Sequence, residues 1–106
     1  MVRPLLDEGY WYVRAVAAYI VGEIGDEDAF DKLKDMLYER NETVKSRASV
    51  ALAKLIRKNV SLLERLSLEE RVRLENNLKS LKEFDLIEHI KPAQAQEIKE
   101  STNDNR

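Results

Sequence analysis

Few side chains in this 106-residue sequence are of types that carry out chemistry. The chain has no cysteine, which excludes a thiolate zinc site, a disulfide framework and a cysteine nucleophile. His89 is the only histidine, so a Ser/His/Asp set cannot be argued and a zinc or iron centre would lack its usual ligands. Asp26, Asp28 and Asp31 lie close together, but negative charge at the start of a helix is their simplest explanation.

The glycines give no phosphate-binding loop. Gly22 and Gly25 lie in and after a predicted helix, and no predicted strand precedes them. A catalytic carboxylate pair would need a cleft that separates two pKa values, and nothing in the pattern requires such a cleft. We therefore expect a protein that is not an enzyme, with no catalytic residue, no cofactor and no metal.

The composition favours a folded, all-α chain. Hydrophobic residues make up 43% of it and charged residues 36%, while only 3 Gly and 2 Pro interrupt the helical pattern. No run of about 18 apolar residues predicts a membrane span, and no basic-then-apolar leader opens the chain. With the absence of cysteine, this leads us to expect a cytoplasmic protein that makes no membrane contact.

Helical periodicity divides the chain into elements. The predicted helices cover residues 11–24, 27–39, 42–58 and 68–84, and residues 1–8 would be the last turns of an earlier helix. Predicted helix-start caps are Asp26, Asn41, Ser61 with Glu64, and Ser67 with Glu70, and Gly25 is a predicted helix end. The last helix would carry Leu74, Leu78, Leu81 and Phe84 on one apolar side. We expect one domain over residues 1–90 and a polar, disordered tail over residues 91–106.

A repeat is the strongest internal signal. When the sequence is shifted by 31 residues, apolar or small residues of the first long helix meet similar residues of helix 42–58. The matching pairs are Val13 with Val44, Ala17 with Ala48, Val21 with Leu52, Gly22 with Ala53 and Ile24 with Leu55. The repeat predicts two equivalent helices that lie side by side, close together where the residues are small.

The segment "VRAVAAYIVGEIGDEDAFDKLKDML" (Val13 to Leu37), followed by "NETVKSRASVALAKLI" (Asn41 to Ile56), resembles the HEAT-like repeats named after the phycobilisome lyases. The resemblance covers about residues 2–57. It implies an α-α superhelix, a short HEAT-like solenoid, for which we take residues 61–90 to be a divergent helical C-terminal cap. Such repeats serve many unrelated tasks, so the resemblance implies binding and not a particular activity.

Helix 11–24 is apolar nearly all round, and a helix of this kind is normally buried on every side. We expect its N-terminal edge to bind another protein or a second copy of this chain. The alternative is that residues 1–8 and the C-terminal helices cover it. The candidate partner-binding residues on this edge are Tyr10, Trp11, Val16 and Tyr19. The run Tyr10-Trp11-Tyr12 is predicted to be a loop, with Trp11 exposed and at least one ring on the core.

Helix 43–58 contains Lys45, Arg47 and Lys54 and no acidic residue. The resemblance implies that this helix lines the concave face, where these three residues would steer an acidic ligand. A solvated face is the alternative, and the net charge of −2 argues against nucleic acid as the ligand. We predict a non-catalytic protein–protein interaction or scaffold module. The alternatives are a nucleic-acid-binding helical repeat and an accessory subunit of an enzyme.

Overall fold

The computed structural model of the chain describes residues 3–7 and 9–90, and every regular element within them is helical. This confirms the all-α class, whereas the superhelical arrangement stays a prediction. The α-helices are α1 (Trp11–Ile24), α2 (Phe30–Asp35), α3 (Glu42–Lys58), α4 (Leu68–Ser80) and α5 (Phe84–Ile90). Short 3-10 helices cover Arg3–Asp7, Glu27–Ala29, Met36–Tyr38 and Val60–Arg65. The predicted tail and the side chain of His89 lie outside the described part of the chain.

Helix α1 has the predicted bounds. It ends at Gly25, whose φ of 75° is left-handed and whose N–H donates to the Val21 carbonyl oxygen at 3.0 Å. The loop that was also predicted over Tyr10-Trp11-Tyr12 conflicts with this start of the helix. The N–H groups of Val13 and Arg14 donate to the Tyr10 carbonyl oxygen, so the helix begins directly after Tyr10. The predicted loop was therefore wrong for Trp11 and Tyr12, which form the first turn of α1.

The helix predicted over 27–39 is divided into three shorter pieces, with α2 between two 3-10 turns. Asp26 caps it as predicted, since its Oδ1 accepts from the Asp28 N–H at 3.1 Å. The 3-10 geometry, which is frequent at helix ends, replaces the first and last α-helical turns. Phe30, Leu33 and Leu37 nevertheless point into the core as the periodicity requires.

The caps of α3 and α4 are as predicted. Asn41 Oδ1 accepts from the Val44 N–H at 3.0 Å. Ser67 and Glu70 form a reciprocal capping box, with Ser67 N–H donating to Glu70 Oε1 at 2.7 Å and Glu70 N–H donating to Ser67 Oγ at 3.1 Å. Local sequence therefore sets where these two helices begin.

The chain around the last helices differs from the prediction. Asn59, and not Ser61, caps the turn Val60–Arg65, because Asn59 Oδ1 accepts from the Ser61 N–H at 3.3 Å. Helix α4 ends at Ser80, and Lys82 takes a left-handed φ of 62° that turns the chain into α5. Leu81 and Phe84 were predicted to join the apolar side of α4, which is wrong, because this turn leaves both exposed.

Helices α1 and α3 pack directly against each other. They run in the same direction, because Gly22 approaches Ala51 near their ends while Trp11 and Thr43, near their starts, line the same hollow. A Cβ atom at Gly22 would lie 2.8 Å from both Cα and Cβ of Ala51, so the glycine is what allows this approach. The predicted side-by-side placement of the two helices is confirmed.

Helix α3 is central, since α1, α2, α4 and α5 all pack against it. Its buried Ser49 hydroxyl donates to the Lys45 carbonyl oxygen at 2.8 Å and accepts from Asn77 Nδ2 of α4 at 3.0 Å. The C-terminal helices thus cover α3, while α1 packs mainly on α3 and on Arg3–Asp7. One face of α1 is left open as a result. None of the helices in the described residues is long and apolar enough to cross a membrane.

Candidate interaction surface

The open face of α1 carries large apolar side chains. Tyr12, Val16 and Tyr19 are spaced by four and three residues, so they lie on one side of the helix, with Trp11 beside them. Their exposed fractions are 50%, 57%, 48% and, for Trp11, 46%. We call these four residues the aromatic face. Monomeric proteins rarely leave so many large apolar groups exposed side by side, and such patches mark interaction sites.

A shallow groove of about 380 Å³ runs between the aromatic face and α3. It is lined by Trp11, Tyr12, Ala15, Val16, Tyr19, Thr43 and Arg47. Two smaller hollows continue it along α3, and both include Arg47, Val50 and Glu83. The result is one continuous concave strip whose floor is small and apolar, whose α1 wall is aromatic and whose α3 wall is polar.

The rings at the start of α1 support one another. Tyr10 stacks on Tyr12 with ring centroids 5.6 Å apart, and Trp11 meets the Tyr12 ring edge-on at 5.8 Å. The expectation that at least one ring would fold onto the core is wrong, because all three are exposed, whereas the exposure of Trp11 is confirmed. Rings that are already ordered lose less side-chain entropy when a partner covers them.

Two cations of α3 lie over the Tyr19 ring. Arg47 Cζ is 5.6 Å and Lys54 Nζ is 5.8 Å from the ring centroid, within cation–π range. Lys54 also pairs with Glu23, whereas Arg47 has no acidic partner among the described residues. No described carboxylate therefore pairs directly with Arg47, although Glu42 and Glu83 line the adjoining hollow with it.

The basic residues predicted on α3 do not all come together. Arg47 lines the groove and Lys54 lines the adjoining hollow, but Lys45 does not line the groove and its Nζ is 3.0 Å from Glu42 Oε2. The hydrogen bond and the positive charge of Lys54 lower the pKa of Glu23. Lys45 and Lys54 are each paired with a carboxylate, so these two residues contribute less positive charge to the surface than the sequence suggested.

Sequence reasoning missed several residues of this surface. Tyr12 could have been found from its spacing to Val16 and Tyr19. Val50 could have been found because it is the counterpart of Tyr19 in the 31-residue repeat. Glu83 could not have been found, since it follows α4 and reaches the strip only because the chain turns at Lys82. The predicted residues Trp11, Val16, Tyr19 and Arg47 do meet in one groove, with Tyr10 stacked at its end.

This arrangement provides contact area and hydrogen-bonding hydroxyl groups. Within residues 3–7 and 9–90, no three His, Cys, Asp or Glu side chains come together as a group that could hold a metal ion. Comparisons of this chain with protein families, with curated proteins and with solved structures found no match.

Proposed function

We propose that this chain is a non-catalytic protein–protein interaction module that binds its partner in the groove between α1 and α3. The aromatic face carries the proposal, because it places Trp11, Tyr12, Val16 and Tyr19 side by side in contact with solvent. Tryptophan, tyrosine and arginine dominate the binding energy of protein interfaces, and this groove contains all three.

Burial supplies the driving force of the proposed binding. Covering a large apolar side chain completely stabilises a complex by about 1.5–3 kcal/mol. These side chains are already about half buried, so each contributes on the order of 1 kcal/mol when a partner covers the rest. Arg47 adds orientation, since a carboxylate of the partner can pair with its guanidinium while the aromatic rings are covered.

The alternative of a nucleic-acid-binding repeat has less support. It depends on the positive charges of α3, but Lys45 and Lys54 each lie beside a carboxylate, and the net charge of the chain is −2. An accessory subunit of an enzyme would use the same apolar groove. We treat it as one form of the proposed module.

A capture experiment tests the proposal. The tagged full chain is crosslinked in its native cell, and the captured proteins are compared with those of Trp11→Ala and Tyr19→Ala variants. Tyr38→Ala is the matched control, because Tyr38 is equally exposed and carries Arg73 over its ring as Tyr19 carries Arg47. We expect the first two variants to lose partners that the control keeps. Retention of every partner by both groove variants would show that the proposed surface is wrong.

A further inference from the structure

We infer that the partner seated on the groove is a second copy of this chain, related by a twofold axis that crosses α1 between Val13 and Arg14. The inference rests on the proposed function and identifies its partner. In a twofold dimer one surface must be complementary to itself, so every contact occurs twice. The groove between α1 and α3 meets this condition in three separate ways.

The direction of the helices fixes the geometry. Because α1 and α3 run in the same direction, a twofold axis that lies in the interface and is perpendicular to them reverses both helices together. With the axis between Val13 and Arg14, residues 11–16 of α1 lie antiparallel on residues 11–16 of the second copy, and residues 42–47 of α3 lie antiparallel on their own counterparts. Residues at equal distances on either side of the axis face each other.

The first complementarity is one of size. An axis midway between Val13 and Arg14 sets Trp11 opposite Val16 of the second copy and Tyr12 opposite Ala15 of the second copy. Trp11 and Tyr12 project from the wall of the groove, whereas Ala15 is buried in its floor. Tyr12 of each copy therefore enters the floor of the other, whereas Trp11 packs on the exposed Val16, so that the two surfaces can pack closely.

The second complementarity is one of charge. Glu23 of α1 pairs with Lys54 of α3, so residues of the two helices that are 31 apart in sequence lie at about the same height. The midpoint between Glu42 and Arg47 on α3 is therefore level with the point between Val13 and Arg14 on α1. The axis that matches the rings thus brings Arg47 of one copy to Glu42 of the other. Arg47 has no acidic partner among the described residues, and the Glu42 side chain is 80% exposed, so its carboxylate can accept from Arg47 of the other copy while it keeps its contact with Lys45.

The third complementarity is polar. The same midpoint relation sets Thr43 opposite Ser46 of the second copy, and both residues line the hollow that continues the groove. Hydroxyl groups that face each other can exchange hydrogen bonds or hold a bridging water molecule.

Sedimentation of the full chain from about 5 to 500 μM tests the inference, with Trp11 fluorescence recorded over the same range. Trp11 is the only tryptophan, so its emission reports directly on the proposed contact. We expect a monomer–dimer equilibrium and an emission maximum that moves to shorter wavelength as the dimer forms. A strict monomer at 500 μM would overturn the inference, and so would a dimer whose formation leaves the Trp11 emission unchanged.

Charge reversal then tests the register. Glu42→Arg alone and Arg47→Glu alone each set like charges opposite each other twice, and we expect at least a ~10-fold rise in the dimer dissociation constant. An equal mixture of the two variants restores opposite charges at both contacts, so we expect heterodimers of about wild-type affinity. Glu64→Arg and Arg57→Glu, which make the same charge changes away from the groove, are the controls, and circular dichroism checks that every variant is folded. Heterodimers no tighter than either variant alone would overturn the proposed axis.

The result separates this inference from the proposed function. If the chain is a strict monomer but Trp11→Ala and Tyr19→Ala remove a crosslinked partner from cells, the second-copy inference fails and the interaction module stands. If the chain is a strict monomer and no captured protein depends on these residues, both fail.

Discussion

Gly22→Ala is the substitution that most sharply tests how the groove is built. In an isolated helix this change is favourable by about 1 kcal/mol, because glycine is a poor helix former. In this fold the added Cβ would lie 2.8 Å from both Cα and Cβ of Ala51. Carbon atoms pack best at about 3.5–4.0 Å, so α1 and α3 would have to separate by on the order of 1 Å.

The expected magnitude follows from these opposing effects. Overpacking of a well-packed core costs typically about 1–3 kcal/mol, and here the clash is partly with backbone, which cannot rotate away. After the gain in helix propensity is subtracted, we expect Gly22→Ala to lower the free energy of unfolding by about 1 kcal/mol. For a domain of this size the melting temperature should fall by roughly 4–8 °C.

Urea denaturation followed by circular dichroism measures this free energy. Gly9→Ala is the matched control, because a Cβ there would meet nothing within 4 Å and the change should be neutral or slightly stabilising. If Gly22→Ala stabilises the chain by about 1 kcal/mol, as helix propensity alone predicts, then α1 and α3 do not approach as described.

Three further substitutions address other parts of the account. Ser49→Ala removes the α4–α3 hydrogen bond of the half-buried Asn77 amide and should cost about 0.5–1.5 kcal/mol in urea denaturation, with a smaller loss for an exposed serine such as Ser80. Ser67→Ala removes the cap of α4 and should cost about 0.5–2 kcal/mol by the same measurement. Lys54 lowers the pKa of the Glu23 carboxylate, and Glu23→Gln removes that carboxylate. The Glu23–Lys54 pair contributes stability above the ordinary pKa of 4.5, and this contribution is lost as the pH falls through the lowered pKa. Unfolding free energies from pH 7 to pH 2 should accordingly fall less steeply for Glu23→Gln than for the wild type, and identical slopes would contradict the pair.

Local signals predicted much of this fold. The bounds of α1 and α3, the left-handed Gly25 and the caps Asn41 and Ser67 are all set by residues within one helical turn, where sequence patterns are most informative. The close approach of α1 and α3 was also predictable, because the repeat places small residues at equivalent positions on both helices.

Contacts between distant parts of the chain were not predictable in the same way. Asn77 is a polar residue of the segment that the sequence marks only as a divergent cap, yet its amide donates to the buried Ser49 hydroxyl of another helix. Leu81 and Phe84 continued an apolar period, but the left-handed Lys82 ends α4 before that period can be used. Periodicity describes a helix that continues, and it contains no information about a turn that only tertiary packing selects.

The candidate surface was half predictable for a related reason. Its aromatic members are visible in the sequence, because Trp11, Val16 and Tyr19 belong to a helix that is apolar nearly all round. The pairing of Lys45 with Glu42 and of Lys54 with Glu23 depends on side-chain geometry, and it changes a basic strip into a groove with one positive charge left over.

Hydroxyl-radical footprinting of the aromatic side chains is the most direct check on the proposed binding surface, because it measures the exposure of each ring separately. The chain is footprinted in its native cell and as dilute purified protein, and the two modification rates of Trp11, Tyr12 and Tyr19 are compared, with Tyr38 as the internal reference. The proposed binding surface predicts at least ~5-fold protection of these three rings in the cell with no change at Tyr38, since a partner that buries an interface core excludes solvent from it. Equal rates in both states would contradict it.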